Sequence, residues 1–322
     1  MRRKVLMIWV LSISATLLLL LLPRLISGSR IILATEILYF SLYSVSFNLL
    51  FGYGGLLPFG HGGLFGMGAY TTGILLARLS GLPIFLTIFL SGIFAMIVGA
   101  IIGFFSLRLK GAFFSLLTFA FQMFLFALAL KWRPVTGGED GISVLRPEFH
   151  LPLLGAISLA DRVNFYYFSL VIVTIVLALS YWFLKTPFGN SIRCIKENEE
   201  RASFLGYQTY RSQFILFCVA SFIAGVGGSL STLTAEMASL EAINVDVSFA
   251  AIMMTFIGGA GSFLGPVLGS AFYVVFQDWL SSWTDRWLIF MGALFIVMVL
   301  YLDSGLISLL KKETYQRLWL KD

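Results

Sequence analysis

Long apolar runs follow one another along almost the whole chain. Most are about twenty residues long, and a helix of that length crosses the hydrocarbon core of a membrane, which is about 30 Å thick. The pattern predicts ten transmembrane helices, near residues 5–22, 31–51, 62–79, 84–107, 112–131, 164–184, 213–235, 247–258, 262–280 and 286–302. It therefore indicates an all-α, polytopic integral membrane protein, with residues 1–322 forming a single transmembrane domain.

The first apolar run has some features of a signal peptide, because Arg2, Arg3 and Lys4 stand directly before it. Its core, residues 5–22, is longer than the roughly 7–15 residues of a typical cleavable signal. We therefore interpret this run as the first transmembrane helix.

The distribution of basic residues predicts the orientation. With the N-terminus placed in the cytoplasm, fourteen of the 22 Lys and Arg residues fall on inner segments and eight on outer ones. Cytoplasmic segments carry the excess of Lys and Arg, so ten crossings place both termini inside. Three longer segments then lie outside the lipid: an outer loop at 131–163, an inner loop at 185–212 and a basic inner tail at 303–322.

Composition and motifs narrow the function. Of the residues, 59% are hydrophobic and only 12% charged, which excludes an ordinary soluble domain and gives no indication of nucleic-acid binding. Cys194 and Cys218 lie in no ligand spacing, so neither a disulfide framework nor a metal site is predicted. The sequence contains no phosphate-binding G-x-x-x-x-G-K-[ST] loop, H-E-x-x-H or G-x-S-x-G motif. We expect no catalytic residue, and if ATP drives this protein, another subunit binds it.

One carboxylate lies inside a predicted span. Glu36 is about two turns into the second predicted helix. A carrier driven by protons or sodium keeps ionisable groups in the membrane along its pathway. Glu36 is either such a group or an interfacial side chain that reaches the lipid headgroups, and both interpretations stay open at this point.

The inner loop carries an amphipathic pattern. Its central part, SIRCIKENEERASFL, predicts one short helix within residues 190–206, with Gly206 at its C-terminal cap. The apolar face of this helix consists of Ile192, Ile195, Ala202 and Leu205. Anionic lipid would repel its three glutamates, so the pattern favours docking to a partner protein with basic residues over lying on the membrane. A solvated charged loop is the alternative.

Two glycine-rich stretches interrupt the apolar pattern, GYGGLLPFGHGG at 52–63 and IGGAGSFLGPVLG at 257–269. Irregular backbone at membrane depth persists only where protein or a water-filled cavity supplies hydrogen bonds. We therefore predict broken helices that face each other in a twofold repeat and that either line a pathway or allow close packing. The candidate pathway or gate residues are Asn48, Gly52, Gly55, Pro58, Gly60, His61, Gln122, Gly258, Gly259, Gly261, Gly265 and Pro266.

Three side chains among these candidates have more specific predicted roles. We expect Asn48 and Gln122 to form hydrogen bonds between helices. His61 either senses pH or contacts the substrate, or it is a structural residue that bonds the exposed carbonyls of the helix break.

The amphipathic pattern of the inner loop, which we call the docking pattern, resembles that of a known family. TPFGNSIRCIKENEERASFLGY, residues 186–207, resembles the cytoplasmic coupling segment of LivM-type permeases, which belong to bacterial ABC importers of branched-chain amino acids. The first glycine stretch resembles the same family at Asn48, Leu49, Gly52, Tyr53, Gly55, Leu56, Gly60, His61, Phe65, Gly68, Ala69 and Tyr70. LRLKGAFFSLLTFAF (107–121), TGGEDGI (136–142) and IGGAGSFLGPVLGSAF (257–272) agree in the same order. The chain departs from the usual pattern at Pro58, Glu139, Asn190 and Cys194.

The resemblance implies a permease subunit of an ATP-driven uptake system in the bacterial inner membrane. Its implied partners are a second, LivH-like permease, two cytoplasmic ATPases that bind ATP and magnesium, and an extracytoplasmic solute-binding protein. The implied ATPase-coupling residues are Ile195, Glu197, Asn198, Glu199, Glu200, Arg201, Ala202, Leu205 and Gly206. The cargo is left open among branched-chain or other neutral amino acids, urea and short amides. A self-contained ion-coupled carrier or channel is the alternative of a different class.

Overall fold

A computed structural model describes residue 23 and residues 28–79, 81–151, 155–301 and 305–307. The predicted first span at 5–22 and most of the predicted tail at 303–322 lie outside the described residues. Within the described part there are twelve α-helices: α1 Gly28–Asn48, α2 His61–Arg78, α3 Ile84–Ser106, α4 Ala112–Lys131, α5 Arg133–Thr136, α6 Arg162–Lys185, α7 Pro187–Glu197, α8 Glu199–Phe204, α9 Thr209–Ala235, α10 Val245–Gly258, α11 Gly265–Ser281 and α12 Trp287–Tyr301.

Short non-α elements complete the described fold. A π-helical segment, Leu49–Tyr53, extends α1, and a 3-10 helix, Leu240–Ile243, precedes α10. Two small antiparallel sheets pair β1 (Ile142–Ser143) with β4 (Met237–Ala238) and β2 (Glu148–Leu151) with β3 (Gly155–Ser158). The prediction of a helical membrane protein is confirmed, and the strands are confined to the 131–163 loop and its contact with the end of α9.

The nine predicted spans from 31–51 to 286–302 each coincide with a described helix. In the part of the chain that the structure describes, five helices are long and apolar enough to cross a membrane: Arg30–Tyr53, Ile84–Ser106, Ala112–Lys131, Arg162–Lys185 and Thr209–Ala235. Two shorter apolar helices, Val245–Gly258 and Trp287–Tyr301, follow them. The chain is thus a multi-pass membrane protein, while ten crossings stay a prediction.

Helix α9 lies at the centre of the bundle and packs on α1, α2 and α3. Small residues allow this close approach. A Cβ placed on Gly68 of α2 would overlap the backbone of Gly225 of α9, and a Cβ on Gly228 would overlap the carbonyl of Phe65. Because lipid chains are as apolar as Leu, helices in a membrane associate through such tight contacts and through interhelical hydrogen bonds rather than through hydrophobic burial.

Contacts at the two ends of the bundle show that the helices alternate in direction. At one end, Arg78 at the end of α2 donates to the carbonyl of Pro134, in the 131–163 loop, at 2.6 Å. At the other end, Lys110, between α3 and α4, forms an ion pair of 2.8 Å with Glu199 in the 185–212 loop. These contacts agree with the predicted alternation, in which the first end is outer and the second is inner.

Arg146 holds the outer loop to the end of α9. Its Nε and Nη2 donate to the carbonyls of Leu233 and Thr234 at 2.7 and 2.9 Å, and Nε lies 3.2 Å from a carboxylate oxygen of Glu236. The guanidinium also lies over the ring of Phe165, 4.4 Å from its centroid. Burial lowers the pKa of Arg146, and the charge of Glu236 opposes that shift. The last carbonyls of α9 are thereby bonded by a cation, which suits the negative end of a helix.

Candidate functional site

The two glycine stretches lie against each other at the predicted inner end of the bundle. The first follows the π-helical segment and ends where α2 begins at His61, and the second joins α10 to α11. Asn48 connects them, because its Oδ1 accepts from the N–H of Gly261 and its Nδ2 donates to the carbonyl of Ser262, both at 2.9 Å. We call the contact among Asn48, Gly52, Gly261 and Ser262 the glycine junction. The predicted facing of the two stretches is confirmed, and the twofold repeat stays a prediction.

Close backbone approach explains why these positions are glycine. A Cβ on Gly52 would overlap Asn48 Oδ1, one on Gly60 would overlap the carbonyl of Thr118, and one on Gly258 would overlap the carbonyl of Gly265. Pro58 is buried within the same break. Tight packing is therefore a property of both stretches, whereas a role in gating stays a prediction.

Hydroxyl groups supply further bonds around the second stretch. The N–H of Gly265 donates to Ser262 Oγ at 3.1 Å, and the carbonyl of Pro266 accepts from Ser44 of α1 at 3.1 Å. Gly259, which ends α10, has a φ of 113°, a conformation that side chains rarely adopt. The second glycine stretch is thus bonded to α1 by Ser44 as well as by Asn48.

His61 is fully buried at the first residue of α2. Its Nε2 lies 2.7 Å from Ser46 Oγ, and its ring stacks on Tyr43 with centroids 5.3 Å apart. Nδ1 has no hydrogen-bond partner among the described residues. The expected bond between His61 and the carbonyls of the helix break is wrong, since its partner is a side-chain hydroxyl of α1.

Gln122, in the middle of α4, bonds irregular backbone inside the bundle. Its Nε2 donates to the carbonyls of Ile243 and Asn244 at 3.0 and 2.9 Å, where the 3-10 helix ends and α10 is about to begin. Its Oε1 accepts from Ser248 Oγ at 2.7 Å, and that oxygen accepts in turn from the N–H of Gly62 at 2.8 Å. The predicted bonding of Gln122 between helices is confirmed, and it connects α4 with the starts of α2 and α10.

Two cavities open near the glycine junction. The larger, of about 730 Å³, lies between the first glycine stretch, the connection from α3 to α4, and residues 195–199. The smaller, of about 410 Å³, is lined by Gly52, Tyr53, Arg193, Lys196, Glu197 and Gly261. Of the candidate pathway residues, Gly55 lines the larger cavity, and Gly52 and Gly261 line the smaller one. Gln122 belongs to a separate cluster that lines neither of these two cavities.

A third cavity, of about 480 Å³, lies towards the predicted outer end. Glu36, half-buried, lines it together with Glu241 and Asp246, and aromatic side chains including Tyr39 and Tyr273 form other parts of its wall. Glu241 and Asp246 follow α9 and belong to no sequence motif that indicates a site.

The docking pattern folds as two helices, α7 and α8, so the prediction of one continuous helix across residues 190–206 is wrong. Asn198 separates them with an extended backbone, φ −159° and ψ 103°, and its Oδ1 accepts from the N–H of Arg201 at 2.8 Å. An Asn cap followed by Glu199 and Glu200 in the first turn is a helix-start signal in the sequence itself. Gly206, with φ of 89°, follows the end of α8, where the N–H groups of residues 206 and 207 bond back to Ser203 and Ala202. Its predicted capping role is confirmed.

We call residues 187–206 the docking segment. Ile192, Ile195 and Ala202 are buried against the rest of the chain. The prediction that Leu205 shares this face is wrong, because Leu205 is 72% exposed, and Phe204 beside it is 83% exposed. Of the implied coupling residues, Glu197, Asn198, Glu200, Arg201, Leu205 and Gly206 are exposed, Glu199 is partly exposed, and Ile195 and Ala202 are buried.

Two lysines connect the docking segment to the transmembrane helices. Lys110 pairs with Glu199, whose carboxylate raises the pKa of the lysine through their hydrogen bond. Lys196 Nζ donates to the carbonyl of Gly52 at 2.6 Å. Neither lysine is recognisable from the sequence, because a bond to a distant carboxylate or to a backbone carbonyl leaves no sequence pattern.

Apolar spans interrupted by glycine-rich breaks that lie inside the protein occur in the membrane domains of transporters. The chain belongs to the family described as "Branched-chain amino acid transport system / permease component", which matches residues 29–299. It is accordingly a non-catalytic permease component of an ABC transport system, a class that works with ATPase and solute-binding partners.

Curated relatives agree with this family. The high-affinity branched-chain amino acid transport system permease protein LivM of Escherichia coli (strain K12) is 24% identical over 314 residues, covering 90% of this chain and 73% of the relative. The probable LivM protein of Methanocaldococcus jannaschii is 26% identical over 324 residues, covering 84% and 92%. The guanosine ABC transporter permease protein NupQ of Bacillus subtilis is 35% identical, but over only 86 residues, or 26% of this chain and 25% of the relative. No solved structure matches the chain.

Replacing Gln122 by leucine is expected to destabilise the fold. The substitution leaves the carbonyls of Ile243 and Asn244 without their donor, and each buried polar group that loses its partner costs about 1–3 kcal/mol. The measurement is the thermal unfolding midpoint of the purified protein in detergent. Gln213→Leu is the control, since Gln213 is only partly buried at the edge of the larger cavity. Equal midpoints for the two variants would refute the bridging role of Gln122.

Replacing Gly52 by alanine is expected to separate the glycine junction. The added methyl group overlaps Asn48 Oδ1 and approaches the N–H of Gly261, so the Asn48 bridge has to break. We expect a loss of about 2 kcal/mol in stability, typical of a disrupted buried hydrogen-bond network, seen as a lower unfolding midpoint. Gly292→Ala in α12 is the control, because a Cβ there meets no atom within 4 Å. A midpoint for Gly52→Ala as high as that of the control would contradict this account.

Proposed function

We propose that this chain and a related second permease together form the translocation path for branched-chain or other neutral amino acids. A solute-binding protein delivers the solute at the outer side. Two ATPases that bind ATP and magnesium dock at the inner side and drive the transport. The complex lies in a bacterial plasma membrane, and this chain crosses it ten times with both termini inside. Family membership supports the class, and the LivM relatives support the solute, because both they and the family are named for branched-chain amino acids.

The docking segment is the observation that carries the proposal. Its buried residues attach it to the transmembrane helices, while Phe204 and Leu205 extend from the tip with most of their surface exposed. Large apolar side chains exposed on a charged aqueous segment indicate a protein interface. Glu197, Glu200 and Arg201 of the same segment are also exposed. The complementary partner is an ATPase surface with an apolar pocket edged mainly by basic side chains.

Not all of the implied coupling residues can contact an ATPase, because some of them are buried or paired within this chain. Ile195 and Ala202 face the chain itself, so they support the docking segment rather than contact the ATPase. Glu199 is paired with Lys110, so reversing its charge breaks a contact within this chain as well as any contact with a partner. We assign the ATPase contact to exposed residues of the segment, with Phe204 and Leu205 as its apolar centre and Glu197, Glu200 and Arg201 as its charged part.

Other cargoes and another class of transporter remain as alternatives. One alternative is a permease of the same architecture that transports urea or short amides. An ion-coupled carrier would depend on Glu36, which shares its cavity with Glu241 and Asp246. The family match favours the ABC permease over the carrier.

Negative charge at Phe204 and Leu205 is expected to weaken ATPase association. The double substitution Phe204→Glu and Leu205→Glu replaces the apolar contact by two carboxylates, and loss of such a central contact weakens binding about tenfold or more. The measurement is the amount of ATPase that copurifies with the tagged permease at equal permease yield. Leu145→Glu, at an 87% exposed position of the outer loop, is the matched control. Undiminished copurification with the double variant would contradict the assigned interface.

Uptake in vesicles tests the proposed function directly. Proteoliposomes that contain this chain, the neighbouring permease and the ATPases are expected to accumulate labelled leucine only when the binding protein is added outside and ATP is present inside. Vesicles with an ATPase variant that binds but does not hydrolyse ATP are the control. If the chain alone accumulated solute along an ion gradient, and Glu36→Gln stopped it, the carrier would be the correct class.

A further inference from the structure

The carbonyl of Gly52 is the point at which the docking segment touches the glycine junction. Near the end of the first broken helix, the carbonyls of Leu49, Leu50 and Phe51 accept backbone N–H groups of residues 54, 56 and 55. The carbonyl of Gly52 instead accepts the ammonium group of Lys196, at 2.6 Å and 144 positions away in sequence. A side chain of the docking segment thus bonds the end of a transmembrane helix.

Both electrostatics and sterics favour Lys196 in this position. The carbonyl end of a helix carries partial negative charge, and an ammonium donor makes a stronger hydrogen bond than a neutral one. The Cγ of Lys196 lies 3.0 Å from the position that a Cβ on Gly55 would occupy. The lysine stem therefore passes directly over Gly55, which has a φ of 70° and no side chain to obstruct it.

The backbone that Lys196 bonds is itself attached to the second glycine stretch. A Cβ on Gly52 would lie 2.6 Å from the amide nitrogen of Gly261, so the two glycines are in direct contact. One turn earlier, Asn48 bonds the N–H of Gly261 and the carbonyl of Ser262. A displacement of Lys196 consequently acts on the ends of α1 and α10 together.

We propose that Lys196 is a positioning residue that transmits movement of the docking segment to the glycine junction through its bond to the Gly52 carbonyl. The inference rests on the proposed function, in which an ATPase moves the docking segment. In this arrangement Ile192 and Ile195 fix α7 to the protein, and Lys196, the next residue after Ile195, is the donor that reaches the broken helix.

Arg193 provides a matched control on the same helix. It lines the same 410 Å³ cavity as Lys196 and carries the same charge, but its guanidinium lies over the ring of Tyr53, 5.2 Å from the centroid. Arg193→Met and Lys196→Met each remove one positive charge from the cavity. Only the second removes the donor to Gly52.

The test measures leucine transported per ATP hydrolysed in proteoliposomes that contain the complete complex. Lys196→Met is expected to assemble with the ATPases and to hydrolyse ATP, while the ratio of transport to hydrolysis falls about tenfold because a charge-assisted hydrogen bond is lost. Lys196→Arg is expected to restore most of the ratio, since it keeps a long cationic donor. Arg193→Met is expected to keep the wild-type ratio.

Three results would overturn the inference. One is a Lys196→Met complex that transports as much per ATP as the wild type. Another is an equal loss of the ratio in Arg193→Met, which would assign the effect to charge alone. The third is failure of Lys196→Met to assemble, which would show a structural role. A wild-type complex without ATP-driven uptake would instead refute the proposed function, and with it the role of Lys196.

Discussion

Backbone polar groups that leave regular helices inside a membrane must find partners within the protein, and this constraint organises the whole bundle. Lipid offers no hydrogen bonds, and each unsatisfied group costs several kcal/mol. The chain breaks its helices around residues 54–60, 236–244 and 259–264. Gln122 bonds the second break and Asn48 bonds the third. Two neutral amides, each with a donor and an acceptor on one side chain, therefore bond the second and third breaks.

The same constraint relates packing to function. Glycine at Gly52, Gly60 and Gly258 brings backbone against backbone, so that a side-chain amide or hydroxyl reaches the irregular carbonyls and N–H groups. Contacts of this kind are closely fitted. A small shift of one backbone segment therefore has to move the other segment or break the hydrogen bonds between them. Broken helices joined in this way are suitable for switching between two arrangements, whereas continuous helices bend only gradually.

Much of this architecture can be read from the sequence, for reasons that differ between features. The spans are evident because the length of an apolar run is set by the membrane. Asn48 and Gln122 are recognisable because neutral amides inside a span need partners. The sequence does not show which backbone they bond, since Ile243 lies 121 positions from Gln122. The capping pattern at Asn198 indicates a division of the docking segment into two helices. The apolar spacing of Ile192, Ile195, Ala202 and Leu205 instead favours one continuous helix, and this is why the single-helix prediction is wrong.

The docking segment separates the residues that hold it from those that it presents. Full burial of an isoleucine contributes about 1.5–3 kcal/mol, so Ile192 and Ile195 together attach α7 firmly to the transmembrane helices. The ion pair of Lys110 with Glu199 adds little, because the lysine side chain is 79% exposed and water screens the pair. Helix α8 follows the extended residue Asn198 and carries Phe204 and Leu205 at its exposed end. A partner that holds this tip therefore pulls first on α8, and the movement reaches the membrane helices through α7, whose apolar anchors leave the ammonium group of Lys196 directed at the Gly52 carbonyl.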